Sequence, residues 1–352
     1  MDHDWLLVET LGDEPLVVAE GRQMTDMVPI AAYLRRAPAL AAIQTAIAET
    51  VATGDSLASI TPKARQVIRT EPVQMSDGRV HGVHVWTGPV GAEPPERPTP
   101  GPLKWDLTAG VATDTVESLT NAGMDPAEES MSGRAFAEDM PSRDLDTEQA
   151  KVLALTIDAE PGQTYCTTWS ITDKQGRPRH VGFVARTALE TAEDGTEHLV
   201  TRAMNLEAEV DEAAPPAGQP DSGSSPADGS LPHESTDRTL DSETPPGVYR
   251  ALVDLKNWHL LKWMGEPCPY YDWHAETPCH PDDVDQLAPM TTEFGDGATS
   301  RVLRLPGNDG GWVPIHVTVD RVEVDRGIYA GLLTLRLPTA DESGQVLPEG
   351  AA

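Results

Sequence analysis

The chain has 352 residues, with 26 Lys and Arg against 57 Asp and Glu, so its formal net charge is -31. That length predicts two or three domains, and that charge argues against bare nucleic acid and anionic membrane surfaces as partners, because both would repel it. The opening Met1-Asp2-His3-Asp4-Trp5 lacks the basic start and apolar run of a secretory signal, and no later run approaches the ~20 apolar residues of a membrane span. Three cysteines, Cys166, Cys268 and Cys279, cannot all pair and are too few to staple a secreted domain. The expectation is a cytoplasmic protein with reduced thiols, no nucleic-acid partner and no membrane insertion.

Residues 5–11 and 16–19 read as strands around the turn Gly12-Asp13-Glu14-Pro15. A helix is expected from Pro38, which suits a first helical position, through Leu40, Ile43, Ile47 and Val51 at three- and four-residue steps to a stop at Gly54. Residues 67–73 and 80–86 flank Ser76-Asp77-Gly78-Arg79, and an Asp-Gly pair between β-like runs signals a hairpin. These elements predict a first module over residues 1–88. Residues 89–102 are dense in proline, which removes backbone donors, and are expected to form an extended linker.

Residues 103–107 and 110–113 read as short strands opening a second module, 103–205, and residues 147–157 as either a helix or a strand. Residues 165–172 and 180–186 form a clear hairpin around Asp173-Lys174-Gln175-Gly176. Over residues 206–246 the composition turns to Pro, Ser, Gly, Asp and Glu with one basic residue, Arg238. Too little apolar surface is available there to offset ordering entropy, so an acidic disordered linker is expected, its hydroxyls open to phosphorylation. The third module, 247–338, starts with a strand at 248–255. It ends in the strand-like runs 299–305, 312–319 and 329–335, which follow His280-Pro281-Asp282-Asp283 and a helix-length segment. A flexible tail, 339–352, closes the chain.

Three times a β-like run turns and returns through a strand that contains a glycine, around Gly82, Gly182 and Gly331. A glycine inside a strand marks a bulge or a close approach of another chain segment. Three related modules of ordinary domain size are the economical reading. The predicted fold class is α+β, three tandem modules, each an antiparallel sheet with helices packed on one side.

The third module, in the order His280-Pro281-Asp282-Asp283, a helical segment through Val284 to Phe294, then the three strands, resembles the second half of a PAS domain. The second module is similar to a more divergent PAS domain, and the first to a GAF-like or PAS-like one. With Asp4-Trp5-Leu6-Leu7-Val8-Glu9 at the start and Pro94-Pro95-Glu96-Arg97-Pro98 after the first module, the whole resembles a mycobacterial family of sensor-domain-only proteins. That resemblance implies one GAF-like and two PAS-like domains, no effector, and a role in signal integration or scaffolding.

The residues offer few candidates for chemistry. Cys268, His274, Cys279 and His280 are metal-ligand types in a short span, but they lack the closely spaced Cys-x-x-Cys or His-x-x-x-His hooks of structural zinc sites. His280, Pro281, Asp282 and Asp283 suit a turn that starts a helix, with Asp282 or Asp283 accepting from free amides there. Trp258, Trp263, Tyr270, Tyr271, Trp273 and Trp312 are dense for a chain that is 5% aromatic overall. They could line a ligand pocket, form a partner surface or fill the core. No nucleophile elbow, phosphate-cradling loop or dinucleotide fingerprint is present. The expectation is a non-enzymatic sensor and scaffold with no cofactor, contacting a signalling protein, with a small-molecule ligand as a second candidate partner. A ligand-free structural scaffold is the near alternative and a metal-assisted hydrolase the distant one.

Overall fold

The computed structural model describes residues 4–61, 66–136, 147–172, 176–192, 194–209, 244–275, 277–294 and 297–343. Most of the expected acidic linker, the turn residues Asp173, Lys174 and Gln175, and the end of the expected tail lie outside them. The described residues build three antiparallel sheets with few helices, in the α+β class expected.

The first sheet contains β1 (Leu6–Glu9), β2 (Leu16–Glu20), β3 (Gln23–Pro29), β4 (Leu57–Ile60), β5 (Gln66–Gln74) and β6 (Val80–Pro89), in the order β3-β2-β1-β6-β5-β4. Alternation along β1 sends Leu6 and Val8 to one face, where they meet Ile43 and Ile47 of helix α2 (Leu40–Thr53), and Leu7 to the other. The short α1 (Ile30–Tyr33) precedes α2. Gly54 ends α2 as expected, in the left-handed conformation at φ 73°, with its N–H on the Thr50 carbonyl. The expected start is corrected. The helix begins at Leu40, not Pro38, because Leu40 N–H is turned back onto the Ala37 carbonyl and Pro38 sits inside that turn.

The second sheet contains β7 (Gly101–Asp106), β8 (Val111–Thr113), β9 (Ser132–Ala135), β10 (Thr164–Thr172), β11 (Pro178–Thr191) and β12 (Glu197–Glu207), ordered β9-β8-β7-β12-β11-β10. Numbered from their own first strands, the first two sheets have the same order, 3-2-1-6-5-4. Helix α3 (Val116–Asn121) is capped by Thr115, which accepts from Ser118 N–H, and it packs on β7 and β12. Helix α4 (Thr147–Ile157) settles the undecided reading of that segment in favour of helix.

The two sheets pack face to face. Even-numbered residues of β11 and β12, Val184, Met204 and Leu206, meet Leu7, Val18 and Val73 of the first sheet in one buried cluster. Odd-numbered Phe183 points the other way, onto Trp105 and Trp169, with ring centroids at 5.5 and 5.1 Å. The proline-dense stretch is more than a connector: β6 ends and β7 begins within it, Trp5 Nε1 donates to the Pro95 carbonyl at 3.0 Å, and Pro98 and Pro100 are buried.

The third sheet contains β13 (Val248–Val253), β14 (Leu260–Trp263), β15 (Ala298–Pro306), β16 (Trp312–Asp325) and β17 (Ile328–Arg336), ordered β14-β13-β17-β16-β15. This is the order of the other two with the third strand left out. The segment from Pro281 to Thr291 is helical, as a 3-10 turn, α5 (Val284–Leu287) and a second 3-10 turn. The chain makes one more helix, α6 (Ala340–Ser343), where a frayed tail was expected. Glu342 anchors it by accepting twice from Arg336, at 2.7 and 2.8 Å.

The glycine repeat is not uniform. Gly82 and Gly331 lie in the last strands of their sheets, but Gly182 lies in the penultimate strand β11, between Thr168 and Leu206. Its hairpin resembles the others because neighbouring antiparallel strands share turn and alternation, not because it holds the same place.

Candidate functional site

The third sheet presents Ala251, Val253, Leu303, Val317, Leu333 and Leu335 to a core that the connector between β14 and β15 closes over. Two backbone bonds and one side-chain bond fix that connector along β15 and the turn after it. Asp272 N–H donates to the Pro306 carbonyl at 2.9 Å, His280 N–H to the Arg304 carbonyl at 2.7 Å, and Asn308 Nδ2 to the Pro269 carbonyl at 2.8 Å.

The turn at 280–283 is organised differently from the expected carboxylate cap. His280 is the N-cap, its Nδ1 accepting from Asp282 N–H at 3.2 Å, and Pro281 follows at the first helical position. Asp283 instead points into the fold, 2% exposed, and holds Arg304: it accepts from Nε at 2.9 Å, from the second guanidinium nitrogen at 2.7 Å and from the backbone N–H at 2.8 Å. Those charge-assisted bonds keep its carboxyl below the usual carboxylate range. Asp282 stays outside, 3.5 Å from the Arg304 guanidinium.

The six expected aromatics divide into three pairs. Trp258 and Tyr271 line a cavity of about 20 Å³ with Pro278, Leu287, Leu303 and Val317, room for about one water. Trp258 takes φ 62°, a left-handed conformation that costs a bulky residue about 1–3 kcal/mol. Trp263 and Trp273 meet edge to face at 5.4 Å, and among the described residues neither buried indole N–H has an acceptor. Tyr270 and Trp312 face outward, 40% and 42% exposed. They stand at the same end of the sheet, since Pro269 is bound to Asn308 and Trp312 pairs with Pro306. Tyr249 braces Tyr270 edge-on at 6.2 Å and His280 braces Trp312 at 5.0 Å. Asp272, Asp282 and Asp309 belong to the same connector and turn.

The metal-ligand types do not converge. Cys268 and Cys279 are core residues, His280 is engaged as a cap, and His274 is exposed. Among the described residues no group of three His, Cys, Asp or Glu is placed to hold a metal ion. Burial raises the Cys268 and Cys279 thiols above their ordinary range and takes Cys166 up to about 11, which makes them poor nucleophiles.

Sequence reasoning missed the polar seam between the first two sheets. Glu9, 1% exposed, accepts from Arg186 Nε at 2.8 Å and from a second guanidinium nitrogen at 3.0 Å. Arg202 donates to Asp77 at 2.7 Å, to Glu190 at 2.8 Å and to His81 Nε2 at 3.1 Å. Because arginine only donates, His81 Nε2 must accept, and its Nδ1–H donates to the Ala203 carbonyl at 2.9 Å. Burial, reinforced by Arg202, lowers His81 to about 4; burial, then Arg97, lowers His84 to about 3. The trace this seam leaves in the sequence is a charged residue among the apolar residues of a strand: Glu9 in β1, Arg186 in β11 and Arg202 in β12.

Three family models match the chain: Rv3651-like, N-terminal, over residues 4–96; Rv3651-like, middle domain, over 99–208; and Rv3651-like, C-terminal domain, over 233–346. The crystal structure of an uncharacterized protein from Mycobacterium tuberculosis is 53% identical, covers 98% of this chain and 99% of that chain, and superposes with a TM-score of 0.83. A sensory box histidine kinase/response regulator from Burkholderia thailandensis is 15% identical over 31% of this chain and 76% of that one, with a TM-score of 0.23. An RNA-binding light-oxygen-voltage receptor is 10% identical over 70% and 97%, with a TM-score of 0.24. Both scores are too low to carry an argument. No curated protein matches the chain. No helix among the described residues is long and apolar enough to cross a membrane.

Proposed function

The chain belongs to the Rv3651-like family, and on that premise we propose that it is a non-enzymatic, sensor-type scaffold whose third module docks a partner protein. The observation that carries this reading is the braced, exposed aromatic pair of Tyr270, on the connector that backbone bonds hold in place, and Trp312, at the start of β16. Rigid exposed aromatics are typical anchors of protein interfaces, because little side-chain entropy is lost when they are covered. The nearby Asp272, Asp282 and Asp309, on a chain of net charge -31, favour a partner with a basic surface.

The PAS-like reading of the third module rests on its strand order and on the helical connector between its second and third strands. The first two sheets repeat that order with one added strand, which supports three modules of related kind. The absence of chemistry is inferred from thiols raised by burial and from histidines held neutral inside the fold.

A small-molecule sensor is the second reading, favoured by the left-handed backbone of Trp258 beside the cavity and by the two unpartnered indole donors. The cavity volume weighs against it, since a ligand site normally encloses hundreds of Å³. Native mass spectrometry of protein purified from its own host separates the two. A bare chain is expected for docking by contact; a retained organic mass would replace that reading with ligand sensing.

A further inference from the structure

Helix α4 lies in the chain between β9 and β10, which are both strands of the second sheet, and it falls within the segment matched as the middle domain. Yet it packs on β16 and β17 of the third sheet, and residues 134–136 and 147–158 belong to the same compact unit as that sheet. In the first module the helix at the corresponding place in strand order, α2, packs on its own sheet, against β5 and β6. The middle module has given its helix away.

Both partners in this contact are built for it. On the helix, Val152, Leu153, Ala154 and Ile157 are 8% exposed or less. The third sheet turns one face to the core already described, and alternation puts Leu252, Val322, Ala330 and Leu332 on the opposite face, where all are buried. The helix end is held as well: Lys256, in the turn between β13 and β14, donates from Nζ to the Ile157 carbonyl at 3.1 Å and pairs with Asp158 at 3.2 Å. A lysine at the last carbonyls satisfies an orphan acceptor and suits the negative end of the helix dipole.

We propose that the back of the third sheet is a helix-binding surface, that the third module is complete only with α4, and that a short amphipathic helix of the same apolar pattern can take its place. The resident occupant comes from this chain's own middle segment. The segment matched as the C-terminal domain is therefore a receptor for a helix lying outside it in sequence.

The test is hydrogen exchange on the full chain. With Leu153→Asp, amides of β16 and β17 should lose protection by about tenfold or more while β1 and β6 keep theirs, because opening is local to the unit that loses its packing. A synthetic peptide of residues 147–158 should restore the protection of β16 and β17 at about 1 mM, the high concentration reflecting the marginal helicity of so short a free peptide. The same peptide carrying Leu153→Asp should not. Lys256→Ala, a surface change that leaves the apolar contact intact, should speed exchange at β16 and β17 alone, and covers the case in which Leu153→Asp unfolds the chain. Loss of protection in β7 to β12 with β16 and β17 unchanged, in either variant, would overturn the proposal. So would failure of the wild-type peptide to restore a selectively opened third sheet.

Discussion

Glu9 and Arg186, 177 positions apart, close a two-point ion pair between the first and second sheets, at 2.8 and 3.0 Å. Gly12 lies beside it, and a side chain there would run into the Arg186 guanidinium. The carboxylate is fully buried, so removing its partner should cost about 3–5 kcal/mol, the penalty of a buried charge left alone. Urea unfolding of Arg186→Leu should show that loss. Arg186→Lys should recover little of it, because an ammonium cannot reproduce the two-point geometry. The double variant Glu9→Leu/Arg186→Leu should be more stable than Arg186→Leu, since no orphan charge remains.

Gly82 and Gly182 both mark close approach between the first two sheets, but with different neighbours. A Cβ at Gly182 would collide first with the flexible Met24 side chain, whereas one at Gly82 would meet Met204 Sδ at 2.7 Å and the Val8 carbonyl oxygen at 2.8 Å. Each alanine variant should lose about 1–3 kcal/mol by overpacking. Adding Met24→Ala should relieve much of the strain of Gly182→Ala. Adding Met204→Ala should relieve Gly82→Ala only in part, because backbone cannot step aside. Melting temperatures of the four variants test the contrast.

The buried histidines predict an acid-labile fold. His81 and His84 are neutral when folded, with values lowered to about 4 and about 3, but ionise near 6.5 when unfolded. Between those limits the unfolded chain binds more protons, so stability is full above about pH 6.5 and falls as the pH drops toward 4, by up to about 1.4 kcal/mol per pH unit for each histidine. Chemical denaturation from pH 7.5 to 4.5 should show this slope, and His81→Gln should flatten it.

Asp283→Asn should loosen the connector without unfolding the sheet. The change removes the charge that pairs with Arg304, whose side chain is 29% exposed and can turn to water. A loss of about 1–3 kcal/mol is expected. Faster amide exchange at Arg304 and His280, with β17 unaffected, is the measurement that checks it.

Much of the sheet structure was legible, because β5, β6, β10, β11, β15, β16 and β17 are rich in β-branched and aromatic residues and flank turns marked by Gly and Asp. The strands that escaped did so for different reasons. In β12 Arg202 and Asn205 interrupt the pattern, and each is buried with its own partners. Strand β3, Gln23–Pro29, is polar and mostly half-exposed. Strand β14 is only four residues long, too short for a period to show. At the candidate site the residues were legible and their roles were not. Nothing local to His280-Pro281-Asp282-Asp283 says that Asp283 will be drawn inward by Arg304, 21 positions on. Nor does local sequence say which of six aromatics will stay outside. The packing of α4 on the third sheet had no local signal at all.

Quantitative affinity purification from the protein's own host, comparing wild type with Tyr270→Ala/Trp312→Ala, tests the docking claim most directly. Both side chains are substantially exposed, so the double variant should melt close to wild type while losing one or more specific partners by tenfold or more. Ile60→Ala, an exposed apolar residue of the first sheet at 61% exposure, serves as the control and should retain them. An unchanged partner set in the folded double variant would contradict the account.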